Sequence, residues 1–306
     1  MEKAHEKTLG SVVRSHMKKL LVTGASGFLG WNLCQLAKQQ WDVYGTYFSK
    51  AVEIPGVTLV KADLRDFQEI KRLFSEIQPA GVIHTAAQSS PNFCQTHSEE
   101  SHLINVTASC NIAALSADYG IPCVFTSTDL VFDGLNPPYR ETDSVCPVNR
   151  YGEQKVLAEQ GMLERYPRVA VCRMPLMFGT AQGATSFIQP FIKALREGQE
   201  LSLFTDEFRT PVSGKTAAGG LLLALENVEG LLHLGGKERV SRYDFGRLMA
   251  DVLELPQEKL KGCQQKDVPM AAPRSANVSL DSSKAFALGY EPLSLREELE
   301  ALRGKV

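Results

Sequence analysis

Lys18-Lys-Leu-Leu-Val-Thr23, followed without a break by Gly24-Ala-Ser-Gly27-Phe-Leu-Gly30, is the stretch on which the fold turns. Residues 18–23 form a short apolar run suited to a buried strand. Beyond the glycines, Phe28, Leu29, Leu33, Leu36 and Ala37 recur at helical spacing and cover one face. A glycine-rich turn between strand and helix lets the backbone approach a pyrophosphate, and the helix N-terminus favours its negative charge. Three glycines alone describe any tight turn. Set between a strand and an amphipathic helix, they predict dinucleotide binding through Gly24, Ser26, Gly27, Phe28, Leu29 and Gly30.

Working outward, strands are predicted over 43–47, 57–61, 81–85, 122–125, 169–172 and 231–234. Helices are predicted over 67–77, 101–119 and from the N-cap Asn149 to about 165. This alternation predicts an α/β fold, a doubly wound parallel Rossmann sheet with its ligand at the strand carboxyl ends. After Arg173 the pattern loosens into a helix over 186–196, a short strand over 201–204, an extended piece over 209–211 and an apolar helix over 216–226. Residues 18–175 with 212–235 are assigned to an NAD(P)-binding domain. Residues 176–211 with 236–306 are assigned to a smaller C-terminal substrate-binding lobe. Residues 1–16 are read as a disordered extension or a cloning remnant, since Ser15-His-Met17 resembles a vector scar and Met17 a natural start.

The strand ends supply further cofactor contacts. An NAD site usually carries an acid after the second strand to bind the ribose 2′-hydroxyl. None stands between Val43 and Lys50, whereas Ser49 and Lys50 suit a 2′-phosphate. NADPH is therefore the expected cofactor and NADH the alternative. Asp63, with Leu64 after it, is placed to accept from an adenine amino group, although Asp beside a turn also caps helices. Ala86 and Ala87 leave room for adenosine across the strand ends, and tight packing would use the same residues. Asn105 is a polar side chain on a largely apolar helix, suited to bonding backbone near the site.

The stretch 124–155, VFTSTDLVFDGLNPPYRETDSVCPVNRYGEQK, carries the chemistry. Tyr151 and Lys155 stand one helical turn apart and share a face. A free phenol has a pKa of about 10, too weak an acid to protonate a developing alkoxide readily. A fixed lysine ammonium within ~4–6 Å favours the phenolate and lowers that pKa. Thr128, or Ser127 beside it, can hold a carbonyl oxygen where charge develops. Together they are the equipment for proton transfer in a carbonyl reduction. Arg209 and Arg274 are candidates for substrate phosphate because the guanidinium fork matches phosphate oxygens, with surface salt bridges as the alternative.

Composition bounds the partners. Among 306 residues, 43% are hydrophobic and 22% charged, as in an ordinary soluble globule, and the formal charge is −2. That balance argues against nucleic acid or an anionic membrane surface as a partner. No run of ~18 apolar residues marks a membrane span. The seven cysteines never form a CxxC pair and read as buried thiols of a reducing, cytoplasmic compartment. The six histidines show no metal-ligand spacing, so no metal is expected.

Taken together, the G-x-x-G-x-x-G turn, Asp63-Leu64, Thr128, Tyr151-x-x-x-Lys155 and Arg173-x-Pro175 resemble the extended branch of the short-chain dehydrogenase/reductase superfamily. The runs 127–134, 138–141 and 147–155, with Arg209-Thr-Pro211 and residues 273–280, resemble the dTDP-4-dehydrorhamnose reductases within it. That resemblance implies NAD(P)H-dependent reduction of the 4-keto group of a nucleotide-activated deoxysugar, and a homodimer. It implies that Thr128 positions the keto oxygen, Tyr151 donates the proton, and Lys155 holds the nicotinamide ribose. It also places Arg173 at the cofactor and Ser127 and Asp129 at the substrate. Leu130 follows Asp129 where related dehydratases have Glu, which argues against dehydration. Leu176 and Ser275 stand where some rhamnose-forming reductases have Trp and Pro, which bears on the identity of the sugar. The same features resemble the regulatory beta subunit of methionine adenosyltransferase, an NADP-binding partner without catalysis, and a sugar-nucleotide epimerase shares the fold.

Overall fold

A computed structural model describes residues 17–306, and the reading of residues 1–16 lies outside the described residues. Its centre is a seven-stranded sheet built from β1 (Lys19–Thr23), β2 (Asp42–Tyr47), β3 (Thr58–Lys61), β4 (Gly81–His84), β5 (Cys123–Thr128), β6 (Ala170–Met174) and β7 (Gly230–His233). The strand order is β7-β6-β5-β4-β1-β2-β3, with every pairing parallel. The chain winds outward in both directions from the β1–β4 pair. A crevice opens at such a switch point, outside the carboxyl ends of the strands.

Both faces of this sheet are covered, which is why central strands such as β1 and β4 read as buried apolar runs. Leu20 and Val22 point to one face, where they pack with Leu33 and Ala37 of α1 (Phe28–Ala37). Leu221 and Ala224 of α5 (Gly214–Asn227) complete that layer. Leu21 points to the opposite face. There it meets Leu73 and Phe74 of α2 (Phe67–Ile77), Ile112 of α3 (Ala108–Asp118) and Met162 of α4 (Arg150–Arg165). A third core, including Ile188, Leu203, Phe245 and Leu299, gathers the segments that follow β6. Those segments are tied by two-stranded pairs, Leu201–Phe204 with Leu260–Cys263 and Phe208–Arg209 with Val240–Ser241.

The observed elements differ from the predicted ones where polar residues are buried. β5 runs on to Thr128, because Thr126, Ser127 and Thr128 pair with Cys172, Arg173 and Met174 of β6 and are themselves buried. The helix expected over 101–119 is broken into Ser98–His102, a π-helical turn Leu103–Thr107 and α3. Asn105 sits in that π turn, a form that is frequent at functional sites. Asn149 caps α4 as expected, its Oδ1 accepting from Gly152 N at 2.9 Å, so Tyr151 lies in the first turn.

The turn from β1 into α1 leaves no space for side chains at two of its glycines. Gly24 has φ +71°, and a Cβ there would stand 2.8 Å from the Ala86 Cα. A Cβ on Gly30 would stand 2.1 Å from the Gly24 carbonyl oxygen, so α1 is seated directly on the turn. Overpacking of this kind typically costs ~1–3 kcal/mol. Gly30→Ala is expected to lower stability by at least that much, read as an earlier denaturant midpoint; an unchanged midpoint would contradict this packing.

Candidate active site

Two cavities meet at the carboxyl ends of β1 and β4. The first, about 380 Å³, is lined on one side by Gly24, Ser26 and Gly27, and on the other by Asp63, Leu64, Ala86 and Ala87. The second, about 490 Å³, is lined by Gly24, Gly27, Phe28, Leu29 and Gly30, and faces Thr128, Tyr151 and Lys155. Gly24, Gly27, Thr85 and Ala87 border both. An elongated ligand lying across the Gly-rich turn would thus have one end in each cavity. The start of α1 lies at its middle, and the N–H groups of a helix N-terminus suit a pyrophosphate.

Of the residues singled out in the sequence, Ser49, Lys50, Asn105 and Arg173 line neither cavity. The Lys50 ammonium is exposed and donates to the Gly183 carbonyl. The Asn105 amide is fully buried. It accepts from Gln88 N at 2.9 Å and donates to Gln88 O at 3.1 Å, fixing the loop that carries Ala86 and Ala87. Arg173 is buried against Glu159, at 2.8 Å and 3.1 Å, and stacks 5.1 Å over the Phe132 ring. Ser127 lines the second cavity, and its hydroxyl donates to that same Glu159.

The catalytic candidates are brought together, but not with the electrostatics expected of them. Tyr151 is 8% exposed and Lys155 2%. The Lys155 ammonium donates to the Thr126 carbonyl at 2.6 Å and sits 4.3 Å over the Phe125 ring. Burial lowers its pKa to about 7, while the nearby Glu159 carboxylate pulls the other way. Burial also pushes the Tyr151 phenol above its ordinary value, with Asp129 adding to the rise and the Thr128 hydroxyl opposing it. A lowered phenol pKa driven by Lys155 is therefore corrected: desolvation dominates both groups. At neutral pH Tyr151 holds its proton.

The second cavity also borders a largely buried charge cluster. Arg209 donates to Asp129 at 2.7 Å and lies 3.6 Å from Glu207. Glu207 is fully buried, and Arg242 and Arg274 stand 3.1 Å and 3.6 Å from it. Arg209, Arg242 and Arg274 all line the second cavity, together with Asp129. Both Arg209 and Arg274 are thus ion-paired within the cluster, Arg209 buried and Arg274 half-buried. Arg242 escaped the sequence reading because it stands in an ordinary polar helix start, Ser241-Arg-Tyr-Asp244. Four polar atoms of the cluster have no hydrogen-bond partner among the described residues: Asp129 Oδ2, Glu207 Oε2, Arg209 Nε and Arg242 Nη1. Two of these, Arg209 Nε and Arg242 Nη1, are donors on arginines that line the cavity, and an arginine-lined cavity suits an anionic ligand. Arg65 lines the first cavity.

Burial raises the Glu207 carboxyl, but attraction by Arg209, Arg242 and Arg274 outweighs it and leaves the pKa below the ordinary value. A depressed carboxylate pKa stabilises the fold above the unfolded value, about 4.3, and that stability is lost as pH falls through the folded value. Glu207→Gln is expected to cost about 3–5 kcal/mol at neutral pH, as for a broken buried pair. The loss should shrink below pH 4, as measured by denaturant unfolding across pH.

A family model described as the RmlD substrate binding domain matches residues 17–305. Methionine adenosyltransferase 2 subunit beta of Xenopus laevis is 31% identical over 283 residues, covering 89% of this chain and 83% of that one. A probable low-salt glycan biosynthesis reductase of Haloferax volcanii is 30% identical over 289 residues, covering 92% and 96%. Among solved structures, a hypothetical dTDP-4-dehydrorhamnose reductase from Sulfolobus tokodaii superposes with a TM-score of 0.81 at 30% identity, covering 90% and 98%. The dTDP-4-dehydrorhamnose reductase of Bacillus anthracis, in complex with NADP, shares the fold with a TM-score of 0.84 at 22% identity, covering 93% and 98%.

Proposed function

The chain belongs to the RmlD substrate-binding family of extended short-chain dehydrogenases/reductases, and from that membership we propose an NADPH-dependent reductase of a nucleotide-activated 4-keto sugar. One observation carries the reading. Thr128, Tyr151 and Lys155 share a cavity wall with the Gly-rich turn on one side and three arginines on the other. Such a cavity receives a dinucleotide from the turn and a diphosphate-bearing substrate from the arginine side.

The residues present fit a dinucleotide. The turn is free of side chains where backbone must approach, and α1 begins at its end. Gly24, Ser26 and Gly27 would hold the pyrophosphate, with Asp63, Leu64, Ala86 and Ala87 around the adenosine. When bound, reduced nicotinamide supplies the hydride. The chain's own groups handle the oxygen and its proton. The Thr128 hydroxyl, at the carboxyl end of β5, orients the keto oxygen. The Tyr151 hydroxyl, kept protonated by burial, delivers its proton to the oxygen as negative charge develops there. Lys155, tied to the Thr126 carbonyl, is set to hold a ribose hydroxyl and to offset charge left on the phenol. Arg209, Arg242 and Arg274 anchor the diphosphate, so substrate without it binds poorly.

Removal of a positioned acid typically costs ~10²–10⁴-fold. Tyr151→Phe should lose at least that much in kcat while still binding NADPH, as followed by nicotinamide absorbance with dTDP-4-dehydrorhamnose as substrate. Near-normal turnover by the variant would remove Tyr151 from the reaction.

A second reading has its own support in the 31% identity to methionine adenosyltransferase 2 subunit beta. In it the chain binds the dinucleotide as a subunit of a larger assembly without turning it over. A stable complex with a methionine adenosyltransferase catalytic chain, and no oxidation of NADPH with any 4-keto sugar, would favour it.

A further inference from the structure

We propose that Arg65, rather than Ser49 or Lys50, reads the adenosine 2′-phosphate and sets the preference for NADPH over NADH; this rests on the dinucleotide reading of the two cavities. The polar residues after β2 that would suit a 2′-phosphate stand outside the cavity. Ser49 and Lys50 line neither cavity, and the Lys50 ammonium is spent on the Gly183 carbonyl.

Arg65 takes their place from the end of β3. It lines the adenosine cavity beside Tyr47 and Phe48, its guanidinium stacked 4.8 Å over the Phe48 ring. One edge of the fork is held by Asp63, with Nε 2.9 Å from Oδ1 and Nη2 2.7 Å from Oδ2. Asp63 is itself anchored, its Oδ1 accepting from Arg65 N at 3.0 Å. This leaves Nη1 without a partner among the described residues, on a side chain whose exposure is 35%. The guanidinium is thus oriented in advance, charged at every working pH, and has donors in reserve. Planar, pre-set donors of this kind match phosphate oxygens, and an arginine near the adenosine ribose is the usual means of accepting a 2′-phosphate. Asp63 and Glu100 also line this cavity and oppose an added anion. Discrimination therefore depends on the contact with Arg65 and not on a general positive field.

The test is calorimetric titration with NADP⁺ and NAD⁺, which differ only in the 2′-phosphate and require no turnover. Wild-type protein should bind NADP⁺ more tightly. Arg65→Ala should weaken NADP⁺ by about tenfold or more, the scale of one charge-assisted contact, and NAD⁺ by less than about threefold. Arg65→Lys should fall between the two, and the preference should shrink with added salt. Lys50→Ala should leave the ratio of the two affinities unchanged. Equal losses for both dinucleotides in Arg65→Ala, or collapse of the ratio in Lys50→Ala instead, would overturn the assignment. Failure of wild-type protein to bind either dinucleotide would overturn the cofactor reading on which it stands.

Discussion

The site depends on how closely the backbone of the first turn approaches its neighbours. With Gly24 against Ala86 and Gly30 on the Gly24 carbonyl, three segments meet with no side chain between them. Strand ends brought so close must have their polar groups satisfied locally. The Thr23 hydroxyl accepts from Thr85 N at 3.1 Å and Ala86 N at 3.3 Å. Its proton therefore points to His84 Nδ1, 2.6 Å away, leaving Nε2 to donate to the Ser109 hydroxyl at 3.0 Å. Burial lowers the pKa of His84 to about 3, so this chain of bonds stays neutral at working pH. Ser109 then donates to the Asn105 carbonyl, and the Asn105 amide clasps Gln88. The crevice is held open by this wiring, and the loop that borders both cavities is fixed by it.

Two buried ionic networks flank the site, and desolvation makes both of them geometrically exacting. Behind β5, Glu159 accepts from Ser127 and Arg173, and Arg173 reaches His233 of β7 at 3.4 Å. That network joins α4 to three adjacent strands, so the helix carrying Tyr151 and Lys155 cannot shift without exposing a charge. In front, Asp129 on the sheet side is paired with Arg209 on the side of the third core. Movement of those segments away from the sheet would separate this pair. The position of the arginines is thereby coupled to that of Thr128 and Tyr151.

Burial also decides the protonation of Tyr151 and Lys155. A tyrosine and a lysine one turn apart invite the inference that the cation acidifies the phenol. In this fold the loss of water around each is the largest influence on it, so each is shifted toward its neutral form. The protein thus presents a phenol that holds its proton at neutral pH.

Most of the frame was legible in the sequence because its signals are local. The apolar runs of β1 and β4, the spacing along α1, the Asn149 cap and the four-residue step from Tyr151 to Lys155 are set by neighbours in the chain. The strand order and the pairing of Ser127 and Thr128 with β6 depend on residues far apart in sequence. So do the three arginines around Glu207 and the diversion of Lys50 to Gly183. The sequence by itself determined that a dinucleotide turn, a phenol and an ammonium exist at the right local spacings. Tertiary structure alone decided which charges face the cavity and which are neutralised behind it, because burial and long-range pairing set a side chain's charge and direction, and neither is written in local spacing.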